Sequence, residues 1–281
     1  VGSEMCIRDR YGLSIFNTKL NTLKNYRQSD LVRNAISENR LREVYIDSKG
    51  IAWIGSESGV DKITTQHNFQ NYTDFFNETS APQSAIVKSL AVKDDYLWIG
   101  FINHGLVRYS EKNGKSKHYY NLINPLSSDE VSNVNALFFD SYGSFWVGDW
   151  NTGLLKYNRI KDRFENIANA DFNTERLGDN RIQRIIEGRP GVLWIGTEGG
   201  LHRYDVKNDR FIRFKHEKNN PNSLSSNTIQ SRAIVFDKDS NLWLGTWAFG
   251  LNKMEFTDKE RTSANFKHFI HCLLYTSDAA D

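Results

Sequence analysis

The sequence predicts an all-β fold, a β-propeller present as an incomplete arc of about five four-stranded blades with a partial blade at the N-terminus. Two observations carry this expectation. A Trp-apolar-Gly triplet recurs at nearly constant spacing, and the residues around each copy read as four strand-length runs divided by turn signals.

The triplets are Trp53-Ile54-Gly55, Trp98-Ile99-Gly100, Trp146-Val147-Gly148, Trp194-Ile195-Gly196 and Trp243-Leu244-Gly245, so the tryptophans step by 45, 48, 48 and 49 residues. A glycine followed by an aliphatic residue comes after each, at Gly59, Gly105, Gly153, Gly200 and Gly250. An earlier copy of this pair, Gly12-Leu13, has no triplet before it, so the chain is expected to begin partway through a repeat.

In the fourth copy, residues 182–187, 192–197, 200–204 and 210–214 read as strands. Gly188-Arg189-Pro190-Gly191, Glu198-Gly199 and residues 205–209 supply the turns. Carried along the chain, the pattern places blades at about residues 41–73, 86–121, 134–167, 182–214 and 231–269, after a partial blade at 11–30. Side chains alternate along a strand, so the tryptophan and glycine of a triplet share one face and its aliphatic residues the other. Both faces are apolar, which suits a strand covered by a blade on each side.

Composition narrows the function classes. Lys+Arg number 36 against Asp+Glu 34, interspersed, which gives no basic stripe for a nucleic acid backbone. No apolar run approaches the roughly 18–20 residues that cross a bilayer, so no membrane contact is expected within the segment. Residues 1–10 and 271–281, which hold Cys6 and Cys272, do not fit the repeat and are set aside as non-native ends of a piece cut from a longer protein. Acids recur before the first turn of a repeat, at Asp47, Asp140, Glu187 and Asp237. They lack the alternating oxygen ligands of a calcium loop and read as turn formers.

Residues 191–205, GVLWIGTEGGLHRYD, with the trailing loop Asn220-Pro221-Asn222-Ser223-Leu224-Ser225-Ser226-Asn227, closely resemble the two-component regulator propeller repeat. The resemblance covers roughly residues 11–256. Departures are Phe101 and Asp149 where threonine is usual, a short turn at Asp94-Asp95, and Val60-Asp61-Lys62-Ile63 in place of Leu-x-Arg-Tyr. The resemblance implies the extracytoplasmic, periplasmic sensor region of a bacterial hybrid two-component system, dimeric in the parent protein and linked through a membrane helix to a histidine kinase. It also implies an oligosaccharide or other small ligand. Some relatives carry a diguanylate cyclase output instead.

Five tryptophans belong to the repeat and are expected in the core. The other two, Trp150 and Trp247, fall in the turn between second and third strands, which in a propeller opens on the face where ligands usually sit. With Phe101, His104, Asp149, Asn151 and Glu198 they form the expected ligand-binding set: rings for stacking and polar groups for hydroxyls. Packing beneath the inter-blade loops is the competing reading of the same rings. No nucleophile motif, P-loop or dinucleotide fingerprint occurs, so no catalytic residue, metal or cofactor is expected. A scaffold for dimerisation or protein contact is the alternative. A lyase or hydrolase using His104 and His202 is a third reading.

Overall fold

The computed structural model describes residues 4–9, 12–29, 35–63, 69–72, 75, 86–124, 131–168 and 176–269; Cys272 and the end segment 271–281 lie outside them. Every element among these residues is a strand. The first sheet holds β1 (Glu4–Asp9), β2 (Gly12–Asn17) and β3 (Thr22–Tyr26). Five four-stranded sheets follow: β4 to β7 (Leu41–Ile46, Ala52–Ser56, Val60–Ile63, Phe69–Tyr72), β8 to β11 (Val87–Lys93, Tyr96–Phe101, Leu106–Ser110, Ser116–Tyr119), and β12 to β15 (Val134–Phe139, Phe145–Asp149, Gly153–Asn158, Arg163–Ala168). The last two are β16 to β19 (Ile182–Glu187, Val192–Thr197, Gly200–Asp205, Arg210–Phe214) and β20 to β23 (Ile229–Phe236, Leu242–Thr246, Leu251–Phe256, Ala264–Phe269). Consecutive strands are neighbours in every sheet, so these are propeller blades, as the repeat predicts.

The first sheet has three strands: Glu4–Asp9, which lies outside the repeat, pairs antiparallel with Gly12–Asn17. Ladder bonds come from the backbone, so an extended segment can occupy a sheet edge without carrying the repeat's side chains.

By contacts the chain divides into two compact units, residues 1–139 with 157–165, and residues 140–156 with 166–281. In the first unit a core forms around Trp53, Val60, Val87, Leu90, Ile99 and Phe101. In the second, Trp194, Leu201, Leu224, Ile229, Leu244 and Met254 form another. The triplet explains how blades stack. A Cβ on Gly55 would strike Val87, one on Gly100 would strike Val134, and one on Gly196 would strike Ile229 and Ile234. Each of those side chains belongs to the first strand of the following blade. Only glycine lets a β-branched side chain this close.

The tryptophan beside that glycine is held from two directions. Its indole N–H donates to an aspartate six residues earlier: Trp53 to Asp47 at 3.1 Å, Trp146 to Asp140 at 2.8 Å and Trp243 to Asp237 at 2.8 Å. The other carboxylate oxygen takes two backbone N–H groups of the turn, from Lys49 and Ile51, from Tyr142 and Ser144, or from Asp239 and Asn241. The turn-forming reading of these acids thus omits half of what they do. From the other side, the residue paired with each tryptophan on the third strand is basic: Lys62, Arg108, Lys156, Arg203 and Lys253. Lys62 lies 4.7 Å from the Trp53 ring centroid, Lys156 5.0 Å from Trp146 and Arg108 5.5 Å from Trp98. Copy four departs from the pattern. Gly188 sits six residues before Trp194, and Glu187 instead takes Gly191 N–H and the N–H and hydroxyl of Ser141 on the preceding blade.

A second device recurs in front of the blades. A buried aliphatic residue (Ile36, Leu177 or Leu224) precedes a residue whose N–H is captured by the third strand. Ser37 N–H donates to Asp61 at 3.0 Å, Gly178 N–H to His202 Nε2 at 3.0 Å, and Ser225 N–H to Asn252 at 3.0 Å. The three acceptors differ chemically and each is fully buried.

Blades are also tied through the turn between third and fourth strands. Glu111 accepts from Lys62 and Tyr72 of the preceding blade. Asp162 accepts from Lys117, Tyr119 and Tyr157, with Arg108 alongside. Burial alone would raise the Asp162 carboxyl, but these donors outweigh it and bring it down to about 2.

Two outcomes are expected. Asp140→Ala strands an indole and two turn N–H groups, and should lower stability to chemical denaturation by about 2–3 kcal/mol; an unchanged midpoint would show that the aspartate latch is dispensable. His202 is pushed down to about 3, first by burial and then by the Arg213 charge, so it is neutral in the fold. An unfolded histidine titrates near ~6.5, so this contribution is complete above that pH and shrinks as pH falls toward the folded value, by up to about 1.4 kcal/mol per pH unit. Denaturation midpoints at pH 7 and pH 5 should differ accordingly, and His202→Asn, copying the acceptor at Asn252, should flatten the difference.

Candidate functional site

The turn from second to third strand is built in two steps, counted from the triplet tryptophan. The third residue after it is Ser56, Phe101, Asp149, Thr197 or Thr246, and all five are buried. Where this residue is a hydroxyl it closes the turn: Ser56, Thr197 and Thr246 donate to the carbonyls of Gly59, Gly200 and Gly250 at 3.0–3.1 Å. Asp149 does the same task in reverse, accepting from the N–H groups of Asn151 and Thr152 and from the Thr152 hydroxyl. Phe101 has no hydroxyl and packs in the core against Phe75, ring centroids 6.4 Å apart.

Phe101 and Asp149 therefore do not present themselves to a ligand, which corrects the sequence expectation for these two. The physical reason is position: they are the last residues of strands buried on both faces, and exposure begins only where the turn leaves the sheet. Among the described residues, those at the tip itself, one position further on, are Glu57, Ile102, Trp150, Glu198 and Trp247.

In the second unit the tip residues form a polar and aromatic surface. Trp150 is half-buried, with the Arg181 guanidinium 5.9 Å from its ring centroid. Arg181 bridges Asp179 and Glu198. Burial would raise Asp179, but the bonds and charge of Arg181 hold its carboxyl below the usual range. The Glu198 carboxylate also accepts from Gln183 at 3.3 Å, and Gln183 accepts from Ser231 of the next blade. Gln183 is the extra residue of a register shift between Ile182 and Arg184, a bulge that turns its side chain to this edge. The same shift recurs between Leu41 and Glu43, where Arg42 pairs with Glu57. Asn151 is exposed, and its carbonyl accepts from Asn180 at 3.0 Å.

At the turns from second to third strand, the fifth blade exposes two rings, Trp247 at 63% and Phe249 at 51%. Between them Ala248 adopts φ 63°, a left-handed conformation that costs a non-glycine residue free energy. Trp247 N–H donates to the Thr228 carbonyl at 2.9 Å, fixing the tip on the incoming loop. This pair of rings was only half visible in the sequence, which singled out Trp247 and passed over Phe249.

In the first unit His104 is half-buried. Its Nδ1 donates to the Ile102 carbonyl at 2.8 Å, and its own carbonyl accepts from His118 Nε2 at 2.7 Å. His202, in the second unit, is fully buried with Nε2 already engaged by Gly178. That places it in the loop latch.

The two-component regulator propeller family model matches residues 176–199 and 223–248, the stretches that hold the Arg181 cluster and the Trp247 tip. Histidine kinase P4 of Formosa agariphila is 30% identical over 213 residues, which is 72% of this chain and 14% of that protein. Two crystal structures from B. thetaiotaomicron share the fold. The extracellular domain of BT3049, described as a hybrid two-component system, matches at TM-score 0.73 and 22% identity, covering 91% of this chain and 32% of that one. The extracellular domain of BT4673, also described as a hybrid two-component system, matches at TM-score 0.53 and 18% identity over 95% of this chain and 40% of that one. This chain thus spans a minor share of each. Its blades, their triplets and the residues matched by the family model agree: the chain is an array of two-component regulator propeller repeats.

Proposed function

We propose that the chain is part of the extracytoplasmic sensor region of a two-component system and binds an oligosaccharide at the turn tips, without catalysing a reaction. The observation that carries this reading is the exposed pair Trp247 and Phe249, held outward by a left-handed Ala248. Rings kept in water at such a cost suit stacking against the apolar faces of a sugar. Trp150, Asn151 and Glu198 add a half-buried ring and amide and carboxylate groups for hydroxyls. The Asp179 carboxyl is held ionised by Arg181, so it does not store a proton for general-acid cleavage of a glycosidic bond. A periplasmic location and a kinase output are part of the proposal, supported by the named relatives.

Calorimetry of the complete ectodomain against an oligosaccharide panel tests it. Trp247→Ala and Trp150→Ala are each expected to weaken binding by about tenfold, the scale of one stacking contact of about 1.4 kcal/mol. If no sugar gives heat, and the tryptophan substitutions change dimerisation instead, the rings serve protein contact and the sugar reading fails.

A further inference from the structure

A cluster of arginines stands at the other end of the fourth blade, away from the turn tips. On β18, Arg203 pairs with Trp194 and Ile212, and two residues on, Asp205 pairs with Val192 and Arg210. Paired residues share a face and residues two apart share a face, so Arg203, Asp205 and Arg210 lie together on the side of Trp194. Arg189 is in the adjacent turn, where its carbonyl accepts Val192 N–H. From the fifth blade Arg261 reaches the same place: its guanidinium lies 4.6 Å from the Phe256 ring centroid and 5.6 Å from Phe236, and both rings pack on Trp194.

None of these four arginines forms an ion pair among the described residues. In earlier blades an acid from the next blade meets the equivalent base, as Glu111 meets Lys62 and Asp162 meets Arg108. Here the corresponding Asp258 folds its carboxylate into its own turn, accepting from the N–H and hydroxyl groups of Thr262 and Ser263. Asp205 is likewise taken by Asn208. Arg203 is 93% buried by its 7% exposure, and its Nε finds no acceptor. Its pKa is lowered first by burial, with Arg189 and Arg210 pushing the same way and Asp205 and Asp258 opposing. Four guanidinium groups against two carboxylates leave an excess of two positive charges.

We propose that Arg189, Arg203, Arg210 and Arg261 form a binding site for a doubly charged oxyanion, a sulfate or phosphate group, seated between the fourth and fifth blades. Charge and donor geometry agree: guanidinium forks match the oxygens of such a group, and Arg203 supplies a donor already shielded from water. The site is independent of the turn tips and of the sugar reading.

Inorganic sulfate and inorganic phosphate titrated into the complete ectodomain, against chloride at matched ionic strength, test this. Binding in the millimolar range or tighter is expected, weakened at least tenfold by Arg189→Gln with Arg210→Gln, both exposed positions. Arg203→Lys places there the residue that Lys62, Lys156 and Lys253 supply in other blades, so the fold should persist while anion affinity falls. Response to sulfate and phosphate no greater than to chloride, or equal binding by folded variants and the unaltered protein, would overturn the proposal.

Discussion

The constraint on which the structure depends is the placement of one indole per blade. The glycine two residues on, at Gly55, Gly100 and Gly196, admits a β-branched side chain from the following blade. A base from the neighbouring strand covers the ring at Trp53, Trp98, Trp146 and Trp243. In three copies an aspartate binds the indole N–H and the turn behind it with the same carboxylate. In those three copies one residue pair six positions apart ties the turn to the ring that packs against the neighbouring blade. A carboxylate that loses its turn also loses its hold on the ring, so local and inter-blade order are coupled.

Because the turn between second and third strands is closed from within, by a hydroxyl at Ser56, Thr197 or Thr246 or by Asp149, the side chain of its outermost residue is not needed to close it. That freedom shows in Glu57, Ile102, Trp150, Glu198 and Trp247, which share a position and little chemistry. A repeat fold can vary its surface this way: recurring residues hold the scaffold, while one position per blade differs in chemistry from copy to copy.

The repeat, its period and the strands of a blade were legible because their cause is local: alternation, a glycine at a positive φ such as Gly200, and turn residues. The candidate site was legible only in part. Phe101 and Asp149 are one residue from the tip, and a single step along the chain separates a strand buried on both faces from the turn that leaves the sheet. Trp150, Asn151, Glu198 and Trp247 lie in the turn itself, and His104 lies further along its own turn. The loop latch was hidden for another reason. Asp61, His202 and Asn252 do one job with three chemistries, and a pattern search for residue type does not join them. The arginine cluster was also out of reach, since Arg189, Arg203, Arg210 and Arg261 come together only through the register of one blade and a turn of the next.

The fifth blade shows what a neighbour contributes. Trp243 keeps its aspartate and its lysine, yet it is only half-buried, whereas Trp53, Trp146 and Trp194 are at most 1% exposed. Among the described residues, a Cβ on Gly245 would meet Ala233 of its own blade and no β-branched side chain from another. On the same side Val235, Leu251 and Phe269 are exposed at 61%, 40% and 41%. The latch within a blade thus orients the indole, and burial comes from the next blade's first strand. Stability in such an array is a sum of nearest-neighbour terms, so the same tryptophan substitution should matter less at Trp243 than at Trp194, although only Trp243 has its indole N–H bonded to an aspartate.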